Sequence, residues 1–229
     1  MSVAVLAALR VEGHCLRLGP RRPGGGARLH LGGAGPVAAR RAAIAALRDG
    51  ADALLSWGFA AGLDPRLPAG TLVIADELVD EAGARLTPDA AWSGWLLEQI
   101  SARVDPRAAA LAETSIPLLD SAQKSALRDR TGAAVADMES VAIARVARDA
   151  GVAFAALRAV SDAADRTVPV AALAALGPGG SLDLRALGAA TLRHPRDMLA
   201  LVRLAPAFAA ARRALREAGA ALAEGLGPP

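Results

Sequence analysis

The chain has 229 residues, of which 53% are hydrophobic and 21% charged, and its formal net charge at neutral pH is +3. Such a large apolar fraction excludes an intrinsically disordered chain and can form a core without metal or disulfide support. The sequence pI of about 10.2 comes mainly from the near absence of lysine, tyrosine and cysteine, and with so weak a net charge it does not predict nucleic-acid binding.

The first part of the chain alternates apolar strands with helical segments, the pattern of an α/β fold. A helix is predicted from Pro36 to Gly50, because proline suits a first helical turn and glycine ends a helix. The glycines that precede it predict a tight loop after a strand. The predicted strands of this part cover residues 2–9, 27–31, 53–60 and 71–79.

The second part continues the alternation and then changes in composition. Helices are predicted over 89–103, 121–131 and 137–150, with a brief strand at 133–136 and a strongly apolar strand at 152–162. After Asp165 the chain becomes rich in Ala, Leu and Gly, and a helix is predicted over 191–222 with a break at Pro206. We therefore predict one α/β domain over 1–229, with 166–229 as a helical C-terminal extension.

Several features argue against targeting, membrane-spanning and metal-binding classes. Arg10 interrupts the first apolar run early, so we expect no signal peptide. The uncharged run between Arg166 and Asp183 is too short and too broken to cross a bilayer. The single cysteine, Cys15, is interpreted as a small buried residue. No histidine has a Cys or carboxylate neighbour at ligand spacing, so we predict no metal site. We expect no cofactor, and without a signal peptide or spanning segment we predict a cytoplasmic protein.

Polar residues that follow strands are the candidates for chemistry, because ligands of α/β sheets bind at the carboxyl ends of strands. Asp162 ends the most apolar strand, where burial would help its carboxyl to hold a proton and act as a general acid. A turn or cap aspartate is the alternative, and this is the interpretation of Asp165. Asp137 and Glu139 open a helix, where capping and dipole roles are the ordinary explanation.

Two further segments have equally open interpretations. Arg10 and Glu12 follow the first strand and would handle an anion or a water molecule, or else lie in a solvated turn. The backbone amides of the glycine loop at 32–35 can approach a phosphate or a ribose. A plain tight turn is the more common use of such glycines.

Two motifs resemble the purine and uridine phosphorylase superfamily, which includes the methylthioadenosine/adenosylhomocysteine nucleosidases. They are VADMESVAIARVA at 135–147 and FAALRAVSDAAD at 154–165, with weaker support from the glycine loop and from residues 57–76. The resemblance covers residues 1 to about 165. It implies a three-layer α/β sandwich around a mixed, partly barrel-like sheet, and a homo-oligomer of two or more copies.

A narrower resemblance is to the hopanoid-associated phosphorylases, through the DMES variant, the LDPRLPAG turn and the segment LRHPRDMLALVRLAPAFAAA. It implies a nucleoside phosphorylase that cleaves the adenine–ribose bond of adenosylhopane and leaves a ribosyl 1-phosphate. The substrate would then be a purine nucleoside with an apolar 5′ substituent. A nucleosidase that uses water is the alternative enzyme, and a non-catalytic nucleoside-binding or membrane-associated module is the alternative of another class.

The resemblance to the superfamily also implies roles for particular residues. Asp162 matches the aspartate that protonates N7 of the purine, and Ser161 is expected to orient it. Glu139 matches the glutamate that accepts hydrogen bonds from the ribose hydroxyls, and Met138 matches the methionine that packs against the sugar. Glu12 matches the glutamate that handles the attacking water in the nucleosidases.

The same resemblance implies an anion-binding corner for inorganic phosphate as a co-substrate. Arg10, Arg158 and the amides of Gly33 and Gly35 are the groups available for it. Phe59 stands where the superfamily often has Ser or Thr. That change removes a hydroxyl near the phosphate. It is expected to add an apolar surface that contacts an apolar 5′ substituent.

The C-terminal segment carries the whole net positive charge, since seven arginines and four acids lie in 183–229. On a helical wheel Arg196 and Arg203 lie opposite an apolar face, a pattern that predicts peripheral membrane contact. Packing on the chain's own domain or on a partner subunit is the more common use of such a helix. The apolar face consists of Met198, Leu201, Val202 and Ala205.

Overall fold

The computed structural model describes residues 1–16, 18, 26–169, 195–223 and 225–229, with the backbone alone for 195–201. Its strands are β1 (Ser2–Ala7), β2 (Gly26–Leu31), β3 (Ala53–Gly62), β4 (Leu72–Val79), β5 (Arg85–Leu86), β6 (Arg107–Glu113), β7 (Val135–Asp137) and β8 (Ala153–Asp162). Its helices are α1 (Arg10–Gly13), α2 (Pro36–Arg48), α3 (Ala90–Ser101), α4 (Ser121–Thr131), α5 (Ser140–Ala150) and α6 (Pro195–Ala221).

Five of the strands close into a ring. Each of β3, β7, β6, β4 and β8 is hydrogen-bonded to the next, and β8 returns to β3. Strands β1 and β2 extend the sheet from β3, in parallel. Strand β7 is antiparallel to β3, and β4 is antiparallel to β8. The mixed, partly barrel-like sheet expected from the sequence is therefore confirmed.

Helices cover both faces of this sheet. Successive side chains of a strand point to opposite faces, and β3 shows this clearly. Leu54 packs with α2 and α5, whereas Leu55 and Trp57 pack on the other face with α3 and α6. Two buried clusters thus lie on either side of the strands, and the three-layer arrangement is confirmed.

The differences from the predicted elements have identifiable causes. Strand β6 was not predicted, because RAAALAE contains no β-branched or aromatic residue; it is held by parallel pairing with β4 and β7. Strand β5 was also missed, and two residues carry no periodicity. Helix α5 begins at Ser140 rather than at residue 137, because residues 137–139 form the turn after β7.

The predicted break at Pro206 is wrong, because α6 is one helix from Pro195 to Ala221. A proline removes a single backbone donor, and the flanking Ala, Leu and Arg residues have high helix propensity. The predicted region 170–190 lies outside the described residues, and so do 191–194. None of the described helices is long and apolar enough to span a bilayer.

The second half of α6 packs closely against α1. A Cβ added at Gly219 would overlap with the backbone carbonyl oxygen of Cys15, so glycine is needed for this approach. Cys15 is buried, as predicted. Further along, the Trp92 indole donates a hydrogen bond to the Leu226 carbonyl at 2.9 Å. The C-terminal helix therefore belongs to the core and supports the segment that carries Glu12.

Candidate active site

Residues that follow β1 and β7 meet residues of β3 and β8 around one buried arginine, Arg158. Strand β8 runs parallel to β3, and Arg158 pairs with Gly58 in the register of the two strands. Because β1 pairs with β3 only as far as Ser56, this places Arg158 level with the residues that follow β1. We call the following set the arginine corner: Glu12, Ser56, Asp137, Glu139, Ser140 and Arg158.

The guanidinium of Arg158 is held on two of its three nitrogens. Its Nε pairs with Asp137 Oδ2, and its Nη2 donates to Ser56 Oγ at 2.6 Å and to Ser140 Oγ at 3.0 Å. Glu139 Oε2 lies 3.9 Å from Nη2. Burial disfavours the charge of Arg158, but attraction to Asp137, Glu139 and Glu12 outweighs burial and raises the pKa of Arg158.

Asp137 performs two tasks, of which the sequence predicted one. Its Oδ1 accepts hydrogen bonds from the backbone N–H of Ser140 at 3.0 Å and of Glu139 at 3.2 Å, so it caps the start of α5. Its Oδ2 pairs with Arg158 and lies 2.5 Å from Ser140 Oγ. The cap therefore also anchors the arginine, a role that the sequence alone did not indicate.

Glu12 is buried with both carboxylate oxygens engaged. Oε2 accepts from the backbone N–H of Leu9 at 2.7 Å, and Oε1 accepts from that of Phe59 at 2.8 Å. Burial raises the pKa of Glu12, and Arg158 and the backbone donors oppose the rise only in part. A carboxylate with a raised pKa is a better base than an exposed one.

Gly58 allows Glu12 and Arg158 to approach each other. A Cβ at residue 58 would overlap both with Glu12 Oε1 and with Arg158 Nη1, so the two side chains lie on either side of the space that glycine leaves open. Nη1 has no hydrogen-bond partner among the described residues. A buried acceptor and an unpaired donor therefore lie next to each other.

The glycine loop joins the corner through Glu139. Gly35 donates its backbone N–H to Glu139 Oε1 at 2.8 Å, and it has a φ of 95°, which favours glycine. The methyl group of Met138 lies close to Gly35 as well. Burial, with the charge of Asp137 second, raises the pKa of Glu139 to about 7. The structure thus brings the loop, Met138 and Glu139 together.

Asp162 lies at the end of β8 but not in the apolar surroundings that the sequence suggested. Its Oδ2 accepts from Lys124 Nζ at 2.5 Å, and its Oδ1 accepts from the Ser161 hydroxyl at 2.6 Å. Lys124 lies on α4 and was not predicted to be part of the site. The one available signal was that it is the only lysine beside many arginines.

Two predicted residues do not join this arrangement as expected. Arg10 is exposed at the start of α1, outside the buried set around Arg158. The ring of Phe59 packs on the opposite face of the sheet, with its centroid 4.9 Å from that of Phe208 on α6. Only the backbone N–H of Phe59 reaches the arginine corner, because adjacent strand residues alternate faces.

Strand β8 therefore links two chemically different groups. Arg158, within the strand, lies among carboxylates that are suited to stabilise positive charge and to bind hydroxyl groups. Asp162, at its end, forms a carboxylate–ammonium pair with Lys124. Glu12 and Asp162 are thus a candidate base and a candidate acid, the two groups that general acid–base chemistry needs to break a bond to a poor leaving group.

Comparison with protein families gives one match, to the model described as the phosphorylase superfamily, over residues 23–178. This range includes the glycine loop, Arg158 and Asp162. A search of curated protein sequences finds no significant match.

Solved structures of nucleosidases share the fold at low identity. A Campylobacter jejuni 5′-methylthioadenosine/S-adenosylhomocysteine nucleosidase has a TM-score of 0.70 and 18% identity, covering 98% of this chain and 99% of that one. A Helicobacter pylori futalosine hydrolase has a TM-score of 0.65 and 18% identity, covering 72% and 86%. A Streptococcus pyogenes S-adenosylhomocysteine nucleosidase has a TM-score of 0.64 and 19% identity, covering 72% and 85%.

Proposed function

Since the chain belongs to the phosphorylase superfamily, we propose that it hydrolyses the N-glycosidic bond of an adenine nucleoside. The observation that carries the proposal is the buried carboxylate of Glu12 beside the unpaired Nη1 of Arg158. A water molecule needs both an acceptor for its proton and a donor to its oxygen. Glu12 and Arg158 supply that pair.

The charge of the arginine corner favours water over phosphate. Three carboxylates, those of Glu12, Asp137 and Glu139, surround the single guanidinium of Arg158. A phosphate anion would meet carboxyl groups whose negative charge grows as Glu139 ionises around pH 7, whereas a neutral water molecule would not be repelled. Arg10, the second arginine expected for phosphate, is exposed. These facts support the hydrolytic alternative.

The proposed reaction assigns one task to each end of the site. As the C1′–N9 bond breaks, its electron pair moves onto the purine, and N7 takes a proton that Asp162 delivers. The ribose becomes cationic, and the carboxylates of the corner stabilise it. Glu139 accepts hydrogen bonds from the ribose hydroxyls, and Glu12 takes the proton of the water that attacks C1′.

Phosphorolysis of adenosylhopane is the second candidate. The unpaired Nη1 of Arg158 supports it, since an arginine donor is what a phosphate oxygen needs. Membrane contact would serve such an insoluble substrate. Arg203 and Val202 are both exposed at the described end of α6, but the side chains of Arg196, Met198 and Leu201 lie outside the described residues. Membrane contact therefore stays a prediction, and so does a homo-oligomer.

One assay tests both candidates. Methylthioadenosine and adenosylhopane are each incubated with the protein, with and without phosphate, while adenine release is followed. We expect full activity without phosphate and a free reducing sugar as product. Strict dependence on phosphate, with a sugar 1-phosphate as product, would refute hydrolysis and support phosphorolysis. The absence of adenine release from both nucleosides would refute both candidates.

A second assay addresses the membrane. The protein is sedimented with anionic and with neutral liposomes at low and high salt, beside a variant carrying Arg196→Glu and Arg203→Glu. Salt-sensitive binding to anionic liposomes that the variant loses supports the lipid substrate. A chain that stays in the supernatant at low salt has no such contact.

A further inference from the structure

Lys124 is completely buried beside Asp162. Its ammonium nitrogen donates to Asp162 Oδ2 at 2.5 Å, to the Ala163 carbonyl at 2.8 Å and to the Arg166 carbonyl at 2.9 Å. Three acceptors match the three N–H bonds of an ammonium group. The fold therefore holds Lys124 as a cation that points at the carboxylate.

This pair conflicts with the simplest form of the proposed reaction. An ammonium ion in contact with a carboxylate favours the ionised carboxylate, and an ionised Asp162 has no proton to deliver. The other side chain bonded to Asp162 is Ser161, whose hydroxyl is a far weaker acid than an ammonium group. Lys124 is thus the strongest acid in contact with Asp162 in the described part of the chain.

We propose that Lys124 supplies the proton that Asp162 delivers to the leaving purine, an inference that rests on the proposed function. As the C1′–N9 bond breaks, N7 takes a proton from Asp162, and the carboxylate takes one from Lys124 Nζ. Asp162 ends ionised and Lys124 ends as a neutral amine. Glu12 meanwhile gains one proton from the attacking water, so the protein as a whole neither gains nor loses one.

After the reaction, the Lys124 amine regains its proton through Asp162. Lys124 has no exposed surface, whereas the Asp162 side chain is 10% exposed, so solvent protons reach the amine by way of the carboxylate. Glu12 releases its proton to solvent in the same period. Lys124 acts through another residue and does not touch the substrate, which makes its role one of proton supply and not of binding.

Other charges around the pair are already engaged. No charged side chain except Asp162 contacts Lys124 among the described residues. The charged groups of the neighbouring elements pair elsewhere: Asp165 with Arg166 after β8, Arg128 of α4 with Asp64, and Arg158 of β8 with Asp137.

Two substitutions separate proton supply from positive charge. Lys124→Arg keeps a cation that does not release a proton in proteins, and Lys124→Met keeps a side chain of similar length without charge. We measure kcat/KM for adenine release from about pH 5 to about pH 9 in both variants and in the unaltered chain. We expect Lys124→Arg to lose at least about 10²-fold at every pH, because its Asp162 stays ionised and receives no proton.

Lys124→Met behaves differently, because Asp162 then lies buried without a cation and binds its own proton in acid. We expect activity near that of the unaltered chain at about pH 5 and a fall of about tenfold per pH unit above neutrality. Lys124→Arg with unaltered rate and pH profile would overturn the proposal, and so would Lys124→Met with an unaltered rate at about pH 8.

The pair also has a readout that needs neither turnover nor a Lys124 variant that folds. The chain has one lysine, so labelling with ¹⁵N-lysine gives a single side-chain resonance. We expect Asp162→Asn to make this group lose its proton at lower pH. An unchanged titration refutes the coupling, even where adenine is released. Coupling without adenine release from any nucleoside refutes the proposed function instead.

Discussion

The two ends of the site differ in charge balance, although one strand, β8, carries residues of both. At the purine end, one carboxylate, Asp162, faces one ammonium group. At the arginine corner, three carboxylates share the single guanidinium of Arg158. In the proposed reaction the balanced pair lies where a proton is transferred, and the carboxyl-rich corner lies where the ribose becomes cationic. The proposed reaction therefore predicts a site that matches the charges of the transition state rather than those of the substrate.

The largest effect is expected when the carboxyl group of Asp162 is removed. Asp162→Asn should reduce adenine release by at least about 10²-fold, because an amide cannot pass on a proton. Asp165→Asn is the matched control, since Asp165 is exposed three residues later, and it should leave the rate unchanged. Near-normal turnover in Asp162→Asn would contradict the role of the carboxylate.

Removing the base from the arginine corner comes next. Glu12→Gln should slow hydrolysis by about 10²-fold, because the amide can accept the N–H of Phe59 but cannot take a proton from water. Initial rates are measured with and without phosphate. A variant that keeps its full rate when phosphate is present would show that phosphate, and not water, attacks the sugar.

Gly58→Ala tests the approach of Glu12 and Arg158 without changing any charge. The added methyl group must displace one of the two side chains, so we expect adenine release to fall about tenfold and stability to fall by about 1–3 kcal/mol. Gly94→Ala is the control, because the same methyl group there meets nothing within 4 Å. Equal thermal unfolding and equal rates in the two variants would refute the close approach.

The smallest expected effect is a change in how the stability of the folded chain depends on pH, caused by Glu139. Its pKa is about 7 in the folded chain and 4.5 in the reference state, so the folded chain binds the proton more tightly. The stability from this group is complete below about pH 4.5 and is lost as pH rises through about 7. Glu139→Gln stays neutral and avoids that loss.

Glu139→Gln should therefore unfold at a higher temperature than the unaltered chain at about pH 8, with a gain on the order of 1–3 kcal/mol, and show little gain at about pH 4. Its turnover should fall, because an amide binds the ribose hydroxyls more weakly than a carboxylate. The unfolding temperature is measured at both pH values. A variant that is equally affected at both would show that Glu139 titrates normally.

Local patterns predicted most of the fold and one half of the site. Apolar runs bounded by glycine or proline located β1, β3, β8 and α2, because burial and backbone conformation are local requirements. The DMES and SDAAD segments indicated Glu139 and Asp162 by resemblance. Strand β6 was not predicted because its alanines have no strand preference. It is a strand because it pairs with β4 and β7.

The partners of the charged residues could not be predicted in the same way. Lys124 reaches Asp162 across 38 residues, and Glu12 reaches Phe59 across 47. Such contacts depend on how α1 and α4 dock, which no periodicity encodes. The face of Phe59, by contrast, follows from alternation with Trp57, so the sequence did contain the information that its ring points away from Arg158.

The packing of α6 has a consequence for how the chain folds during synthesis. Val3 and Val5 of β1 lie in the same buried cluster as Leu215 and Leu222 of the C-terminal segment, about two hundred residues later. At a translation rate of about 5–20 residues per second, the C-terminal segment is synthesised on the order of 10–40 seconds after β1. Strand β1 is thus synthesised long before the helix that covers this face, and until then its apolar side chains on that face lack this part of their packing.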